Sequence, residues 1–401
     1  MKLVELNLAT IPFGTPIPFA LRGTGGSLLA SKGFVIRSSD DLRQLLLRGQ
    51  TLYVDTDESG ESYRAFVAQL QSMLMSNKPL SKIAQTTMQS GASGPSTNST
   101  YSAPTPAWHR WQAALTNLLR NPQPGDFQQR FDEIFQAVNE QTLKAPDGAL
   151  LALLQMSAEE TRYYSATHAM LTCVVCMITA RETLRWPANR ALPLGRAALS
   201  MNIGMAQLQD DLAQQSTPLT AQQIQEIEAH SDISVAILRS MGVADPLWLD
   251  AIRAHHHRAP GKLSEKTLGQ QMARLIQRAD IFGARIAPRV TREPMSVTSA
   301  MQASYYDETQ SMDEAGAAII KALGIYPPGA WVKLANDEIG VVIRRGATAA
   351  TPKVAVLLNR HGMPTGEPIP RDTAVPGCKI VSPVAHKEAR VRLPLEKLLA
   401  L

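Results

Sequence analysis

Residues 168–180 have the sequence HAMLTCVVCMITA, a histidine followed by the most apolar stretch of the chain. Leu171, Val175 and Ile178 follow His168 at the three- and four-residue spacings that place side chains on one helical face. The run is far shorter than the roughly 20 residues that a membrane-spanning helix needs. We therefore expect a helix inside a folded domain, with His168 directed inward.

Three later segments repeat this pattern of a polar side chain beside apolar helical positions. They are His230 after Ile224 and Ile227, His255 and His256 after Ile252, and Asp280 after Ile276. Burying an imidazole or carboxylate costs free energy unless the group is hydrogen-bonded, paired or metal-bound, so the set favours one shared site in a helical bundle. Each residue alone is more often an ordinary core side chain, and the His255–His257 run also fits a solvated helix end.

The chain divides into four regions by composition. Residues 1–83 mix short extended runs with turn residues, which predicts a small α+β module, and residues 84–107 are rich in Ser, Thr, Gly and Pro, which predicts a flexible linker. Residues 108–325 have helical periodicity, and residues 326–401 return to strand-like runs. The predicted fold class is multidomain and mainly α: an all-α bundle flanked by an N-terminal α+β module and a C-terminal β subdomain.

Local signals predict some of the helix ends. Thr220 with Gln223 resembles a capping box, Asp245-Pro246 resembles a helix start, and Gly242 is a plausible stop.

Composition excludes several classes of protein. Of the 401 residues, 44% are hydrophobic and 19% are charged, as in a soluble protein with a sizeable core. A net charge of +5 without a Lys/Arg block does not indicate a nucleic-acid surface. Three cysteines cannot close a disulfide framework, and Cys173 and Cys176 are expected to pack inside a helix. With no secretory signal in residues 1–8, a cytoplasmic location is expected.

The order and spacing of the histidines resemble the HD-GYP family, whose pattern is His, His-Asp, His, His-His, Asp. Here the gaps are 33 residues from His168 to Met201-Asn202, 28 on to His230, 25 to His255-His256, and 24 from His256 to Asp280. The resemblance covers roughly residues 155–325 and continues into the tail. It implies an HD-type helical domain and metal-dependent hydrolysis of cyclic di-GMP.

The sequence departs from the family pattern at metal, phosphate and loop positions. Met201 and Asn202 replace the His-Asp pair, whose aspartate bridges two metals in the family. A thioether suits Fe or Mn poorly and a neutral amide brings no bridging charge, so a dinuclear centre is not expected. The other departures are Met205 and Gly283 in place of lysines, Tyr164 in place of a glutamate, and a shorter 258–262 loop in place of Gly-Tyr-Pro.

The surviving residues fall into two groups under this resemblance. His230, His255 and His256 resemble the ligands of one metal position, and three imidazoles with an open fourth position can hold a single Fe, Mn or Zn ion. His168 and Asp280 remain from the second position. The expected cofactor is therefore none or one metal ion, and we assign no catalytic residue.

The favoured interpretation is a non-catalytic regulatory or protein-interaction module in cyclic di-GMP signalling. Expected partners are a signalling protein, such as a diguanylate cyclase or a motility or biofilm regulator, and cyclic di-GMP itself. The alternative is an unconventional metal-dependent phosphodiesterase that acts on cyclic di-GMP or its linear product. A third hypothesis is a dinucleotide receptor that uses basic side chains for phosphate pairing. The candidates for that role are Arg253, Arg258, Lys262, Arg274 and Arg278.

Overall fold

The fold was analysed in a computed structural model of the full chain. The described residues are 3–5, 17, 20–23, 27–31, 33–49, 52–55, 107–159, 161–258, 261–290, 292–307, 309, 311–385, 389, 391 and 393–401. The chain divides into two compact units: residues 1–104 with 357–369, and residues 105–356 with 370–401.

The first unit contains a small mixed module. Its strands are β1 (Leu3–Glu5), β2 (Leu21–Arg22), β3 (Leu28–Ala30) and β4 (Tyr53–Asp55), in the sheet order β1-β4-β2-β3, with helix α1 (Ser39–Gly49) between β3 and β4. Buried apolar side chains, including Leu21, Ile36, Leu52 and Val54, form its core. The predicted α+β character of this module is confirmed, and the predicted linker lies outside the described residues apart from Ala107.

The second unit contains a helical bundle around one large apolar core. Its α-helices are α2 (Trp108–Arg120), α3 (Phe127–Lys144), α4 (Pro146–Glu159), α5 (Tyr164–Ile178), α6 (Ala188–Ser200), α7 (Ala206–Gln214), α8 (Ala221–Ser240), α9 (Pro246–Ala254), α10 (Leu268–Ile286), α11 (Val297–Tyr305) and α12 (Glu314–Leu323). Short 3-10 turns lie at Ile203–Met205 and Leu263–Glu265, and α5 continues into one π-helical turn, Thr179–Thr183.

Side-chain caps determine where the site helices begin. The Thr220 hydroxyl accepts the Gln223 amide N–H and the Gln223 side chain accepts the Thr220 N–H, which confirms the predicted capping box of α8. Asp245 caps α9 ahead of Pro246 in the same predicted manner. Gly242, just after α8, has a φ of 85°, a left-handed conformation that favours glycine.

The C-terminal strands form a second sheet. It comprises β5 (Trp331–Leu334), β6 (Ile339–Arg344), β7 (Lys353–Leu358), β8 (Pro364–Asp372) and β9 (Ile380–Pro383) in the order β8-β7-β6-β5-β9, and a short helix α13 (Leu395–Ala400) follows. β5 pairs antiparallel with both β6 and β9.

Helix α4 packs on β6, and both lie in the second compact unit. The mainly-α fold class with a C-terminal β region is confirmed. The boundaries at 83/84, 107/108 and 325/326 remain predictions. No helix in the described part of the chain combines the length and apolar composition that a bilayer crossing requires.

Candidate metal centre

Four helices of the bundle position the candidate site. His168 lies on α5, His230 on α8, His255 and His256 at the end of α9, and Asp280 on α10. Helix α10 packs against both α5 and α9, and α8 packs against α9. The four sequence segments therefore meet in one region, as the inward-facing histidines predicted.

His230 and His255 are oriented by their own helices. The Nδ1 atom of each ring lies 2.5 Å from the carbonyl oxygen three residues earlier, that of Ile227 and Ile252 respectively. A carbonyl oxygen only accepts, so each Nδ1 carries the proton and each Nε2 presents a lone pair. This bond fixes the tautomer that ligating histidines commonly adopt.

The two Nε2 atoms face each other at 3.3 Å. Burial lowers the pKa of His255 to about 3 and also lowers that of His230, so both rings are neutral near pH 7. Two lone pairs at this separation repel unless a cation lies between them. The donor pair therefore fits a metal ion.

His256 completes the set from the exposed side. The ligand atoms of His230, His255 and His256 all lie within 4.8 Å of one another. The His256 ring centroid is 4.0 Å from that of His255 and 4.9 Å from that of His230. Three imidazoles of which one is exposed match a site that leaves a position open to water or ligand.

His168 and Asp280, the predicted remnant of a second position, bond to each other instead. His168 Nε2 lies 2.7 Å from Asp280 Oδ1. Burial alone would raise the pKa of Asp280, but its hydrogen bond to His168 and the nearby imidazoles lower it to about 2. The carboxylate is thus ionised and accepts a hydrogen bond from Nε2–H, so His168 Nε2 and Asp280 Oδ1 are engaged with each other.

The Met201-Asn202 pair follows α6 and is buried. The 3-10 turn after it packs tightly on α8, where the Gly204 N–H donates to Ser234 Oγ at 2.9 Å and a Cβ on Gly204 would lie 2.8 Å from the His230 carbonyl oxygen. Asn202 Oδ1 is buried without a hydrogen-bond partner in the described residues. An amide and a thioether thus occupy the position where the resemblance implies an imidazole and a bridging carboxylate.

Asp210 is a structural residue that the sequence did not single out. Its wholly buried carboxylate accepts the Ser165 N–H and hydroxyl, each at 2.7 Å, and pairs with Arg120 at 2.7 Å. It therefore fixes the first turn of α5, which carries His168. In the sequence, Asp210 is one of two consecutive acids, Asp210-Asp211, and such a pair is typical of a solvent-exposed helix face.

A second missed group is a set of arginines beside Tyr164. Arg289 Nη2 donates to the Tyr164 hydroxyl at 3.2 Å, and its guanidinium carbon lies 5.2 Å from the ring centroid. Burial, then the charges of Arg289 and Arg285, lower the pKa of Arg292, so these cations lie close together. Within the described residues none of the three pairs with a carboxylate.

Three of the five basic residues predicted for phosphate pairing are engaged elsewhere. Arg274 and Arg278 are buried and pair with Asp313 at 2.6 and 3.7 Å, which ties α10 to the start of α12. Arg253 lies 3.6 Å from Asp232. The assignment of Arg274 and Arg278 as phosphate ligands was wrong, because helical periodicity did not reveal their buried partner, whereas that of Arg253 stays a prediction.

Comparison with known proteins supports the family resemblance. No family model matches the chain. Its sequence is 24% identical over 260 residues to a cyclic di-GMP phosphodiesterase of Pseudomonas aeruginosa. The chain is thus similar in sequence to a protein of the HD-GYP type. The match spans 62% of this chain and 61% of that relative's length, and the predicted resemblance is confirmed.

A solved HDG"Y"P protein from Bdellovibrio bacteriovorus is also similar. The match covers 79% of this chain and 98% of that chain at 11% identity, with a TM-score of 0.38. Superposition at this level carries no residue-by-residue correspondence. The roles of Met201 and Asn202 within the HD-GYP pattern therefore remain predictions.

Proposed function

We propose that this protein is a non-catalytic regulatory member of cyclic di-GMP signalling, built around a single metal ion held by His230, His255 and His256. The observation that carries the proposal is the pair of facing Nε2 atoms at 3.3 Å, each with its Nδ1 proton donated to a carbonyl. The similarity to the Pseudomonas protein named a cyclic di-GMP phosphodiesterase supports cyclic di-GMP as the nucleotide that this protein binds.

The residues left at the second metal position of the family pattern support a non-catalytic role. Phosphodiester hydrolysis at two-metal centres uses the ions to stabilise both the attacking and the leaving oxygen. Here His168 and Asp280 bond to each other, and Asn202 brings no negative charge to hold two cations together. Met205 and Gly283 provide no cation for the transition state.

The chain's own residues orient and expose the centre. The carbonyls of Ile227 and Ile252 hold the imidazoles of His230 and His255 in one tautomer, and exposed His256 gives access from solvent. When bound, the ion would supply Lewis-acid attraction for an anionic ligand. Arg289 and Arg292, which pair with no carboxylate in the described residues, are the candidates to pair with the phosphates of a dinucleotide.

A second candidate function is slow, unconventional hydrolysis of cyclic di-GMP or its linear product. The exposed His256 favours it, because a three-imidazole ion with an open position can activate water. Binding of a signalling partner, such as a diguanylate cyclase or a motility or biofilm regulator, belongs to the first candidate. The cytoplasm is the expected location for either.

Nucleotide turnover separates the two functions. The full chain would be loaded anaerobically with Fe²⁺, Mn²⁺ or Zn²⁺ and incubated with cyclic di-GMP and with its linear product. Its controls are the His230→Ala/His255→Ala/His256→Ala variant and His257→Ala, which removes the exposed neighbour instead. We expect calorimetric binding of cyclic di-GMP without turnover above that of the triple variant. Turnover that only the triple variant loses would establish the phosphodiesterase, and neither binding nor turnover would reject both nucleotide functions.

A further inference from the structure

The His168 imidazole is enclosed on one face and along one edge. The Tyr164 ring stacks on one face, with centroids 5.5 Å apart and planes inclined by 12°. Gly283 lies near the Nδ1–Cε1 edge of the ring, where an added Cβ would be 3.0 Å from Nδ1 and 3.1 Å from Cε1. Since real Cβ contacts are rarely this short, a side chain at this position would push the ring by a few tenths of an ångström.

Tyr164 is itself held firmly. Its side chain is buried, and Arg289 contacts both its hydroxyl and its ring. The adjacent Ser165 is anchored to Asp210 through two hydrogen bonds of 2.7 Å. The ring that covers His168 therefore cannot move aside without breaking contacts on two other elements.

The enclosure leaves His168 one polar partner. Its Nε2 bonds to Asp280, and its Nδ1 is buried without a hydrogen-bond partner in the part of the chain described. For His168 and Asp280 to bind an ion, the imidazole would have to lose the Nε2 proton and turn or shift between Tyr164 and Gly283. Close packing against the Tyr164 ring and along the edge beside Gly283 opposes that movement.

We propose that Tyr164 and Gly283 determine the metal stoichiometry of the centre, because they hold His168 on Asp280 and so keep both residues from binding a second ion. The proposal rests on the proposed function in one respect: His230, His255 and His256 are taken as the binding set. It also predicts that the Met201-Asn202 pair is not the sole obstacle to a dinuclear centre.

Metal stoichiometry in matched variants tests this directly. The restored variant carries Met201→His and Asn202→Asp, the release variant adds Tyr164→Ala, and the matched control adds Tyr163→Ala, which removes the exposed neighbouring ring. All are prepared as full chains, loaded anaerobically with Fe²⁺ or Mn²⁺ and measured by elemental analysis. We expect one ion per chain in the restored and control variants and two in the release variant. Two ions in the restored variant, or no gain in a folded release variant, would overturn the proposal.

A second measurement does not depend on any core substitution. In protein labelled with ¹⁵N-histidine, the Nε2 proton of His168 should give a protected NMR signal, assigned by its loss in His168→Gln. That signal should survive addition of one, and then excess, equivalents of Zn²⁺. Its disappearance on loading would show that His168 becomes a ligand and would overturn the proposal.

Failure of this inference is distinguishable from failure of the proposed function. If the wild type bound no metal, the proposed three-histidine centre would be rejected. If the release variant then still bound one ion more than the restored variant, the inference that Tyr164 and Gly283 determine the metal stoichiometry would be supported. If the wild type bound one ion and the restored variant bound two, the three-histidine centre would be supported and the inference about Tyr164 and Gly283 would be rejected.

Discussion

Asp210 anchors the helix that carries His168, and its removal should be costly. In Asp210→Ala the buried Ser165 N–H and hydroxyl lose their acceptor and Arg120 loses its partner. Breaking a buried ion pair costs about 3–5 kcal/mol. The Arg120 side chain is 26% exposed, so water can hydrate its charge in the variant. We therefore expect a loss of unfolding free energy at the lower end of this range, about 3 kcal/mol. At roughly 2–4 °C per kcal/mol, Tm should fall by roughly 6–12 °C.

Thermal unfolding of metal-free protein, followed by far-UV circular dichroism, measures this loss. Asp211→Ala is the matched control, because the exposed Asp211 carboxylate lies on the same helix and, among the residues that the structure describes, accepts only from the Gln207 side chain, at 2.9 Å. Its cost should stay within about 0.5 kcal/mol. If the two variants melted at the same temperature, the inference that Asp210 fixes the start of α5 would be refuted.

Three further predictions concern the metal, the turn beside it and the sheet. Zn²⁺ at about 100 times its Kd should stabilise the wild type by ~2.7 kcal/mol in thermal melts. The His255→Ala variant should lose that stabilisation. An equal gain in the variant would contradict the role of His255 as a metal ligand. Gly204→Ala should cost roughly 1–3 kcal/mol in urea unfolding and weaken Zn²⁺ binding, because its Cβ would meet the His230 carbonyl at 2.8 Å; unchanged affinity would refute the positioning role. The hydrogen bond from Arg371 lowers the pKa of Glu338, so the pair contributes stability above the unfolded-state pKa of about 4.3 that is lost as pH falls. Glu338→Gln should therefore lower stability at pH 7 by up to about 1 kcal/mol and change little at pH 3; an equal loss at both pH values would exclude the ionic contribution.

Local sequence signals predicted the helix ends and the inward faces. The capping box at Thr220 and the Asp245 cap follow from side chains within one turn of the backbone groups they satisfy. Apolar periodicity likewise predicted that His230 and His255 are buried, because a helix face is determined by residues three and four apart.

Contacts between distant residues could not be predicted in this way. The bond between His168 and Asp280 joins residues 112 apart, and the enclosing Tyr164 and Gly283 lie on two different helices. Arg274 looked like an exposed cation, since the acid that allows its burial, Asp313, comes 39 residues later. Such pairings depend on how helices pack, which periodicity within one helix does not determine.

The orientation of the histidine rings also could not be predicted from the sequence. Spacing brings His230 and His255 to one face of the bundle, but the carbonyls of Ile227 and Ile252 decide which nitrogen faces the centre. That choice turns a set of buried histidines into a possible metal centre.

The most direct test is the metal content of the full chain, purified anaerobically without chelators and measured by elemental analysis. We predict about one Fe, Mn or Zn ion per chain in the wild type and in His257→Ala, and none in the His230→Ala/His255→Ala/His256→Ala variant. A metal-free wild type, or equal metal in the triple variant, would contradict a three-histidine centre.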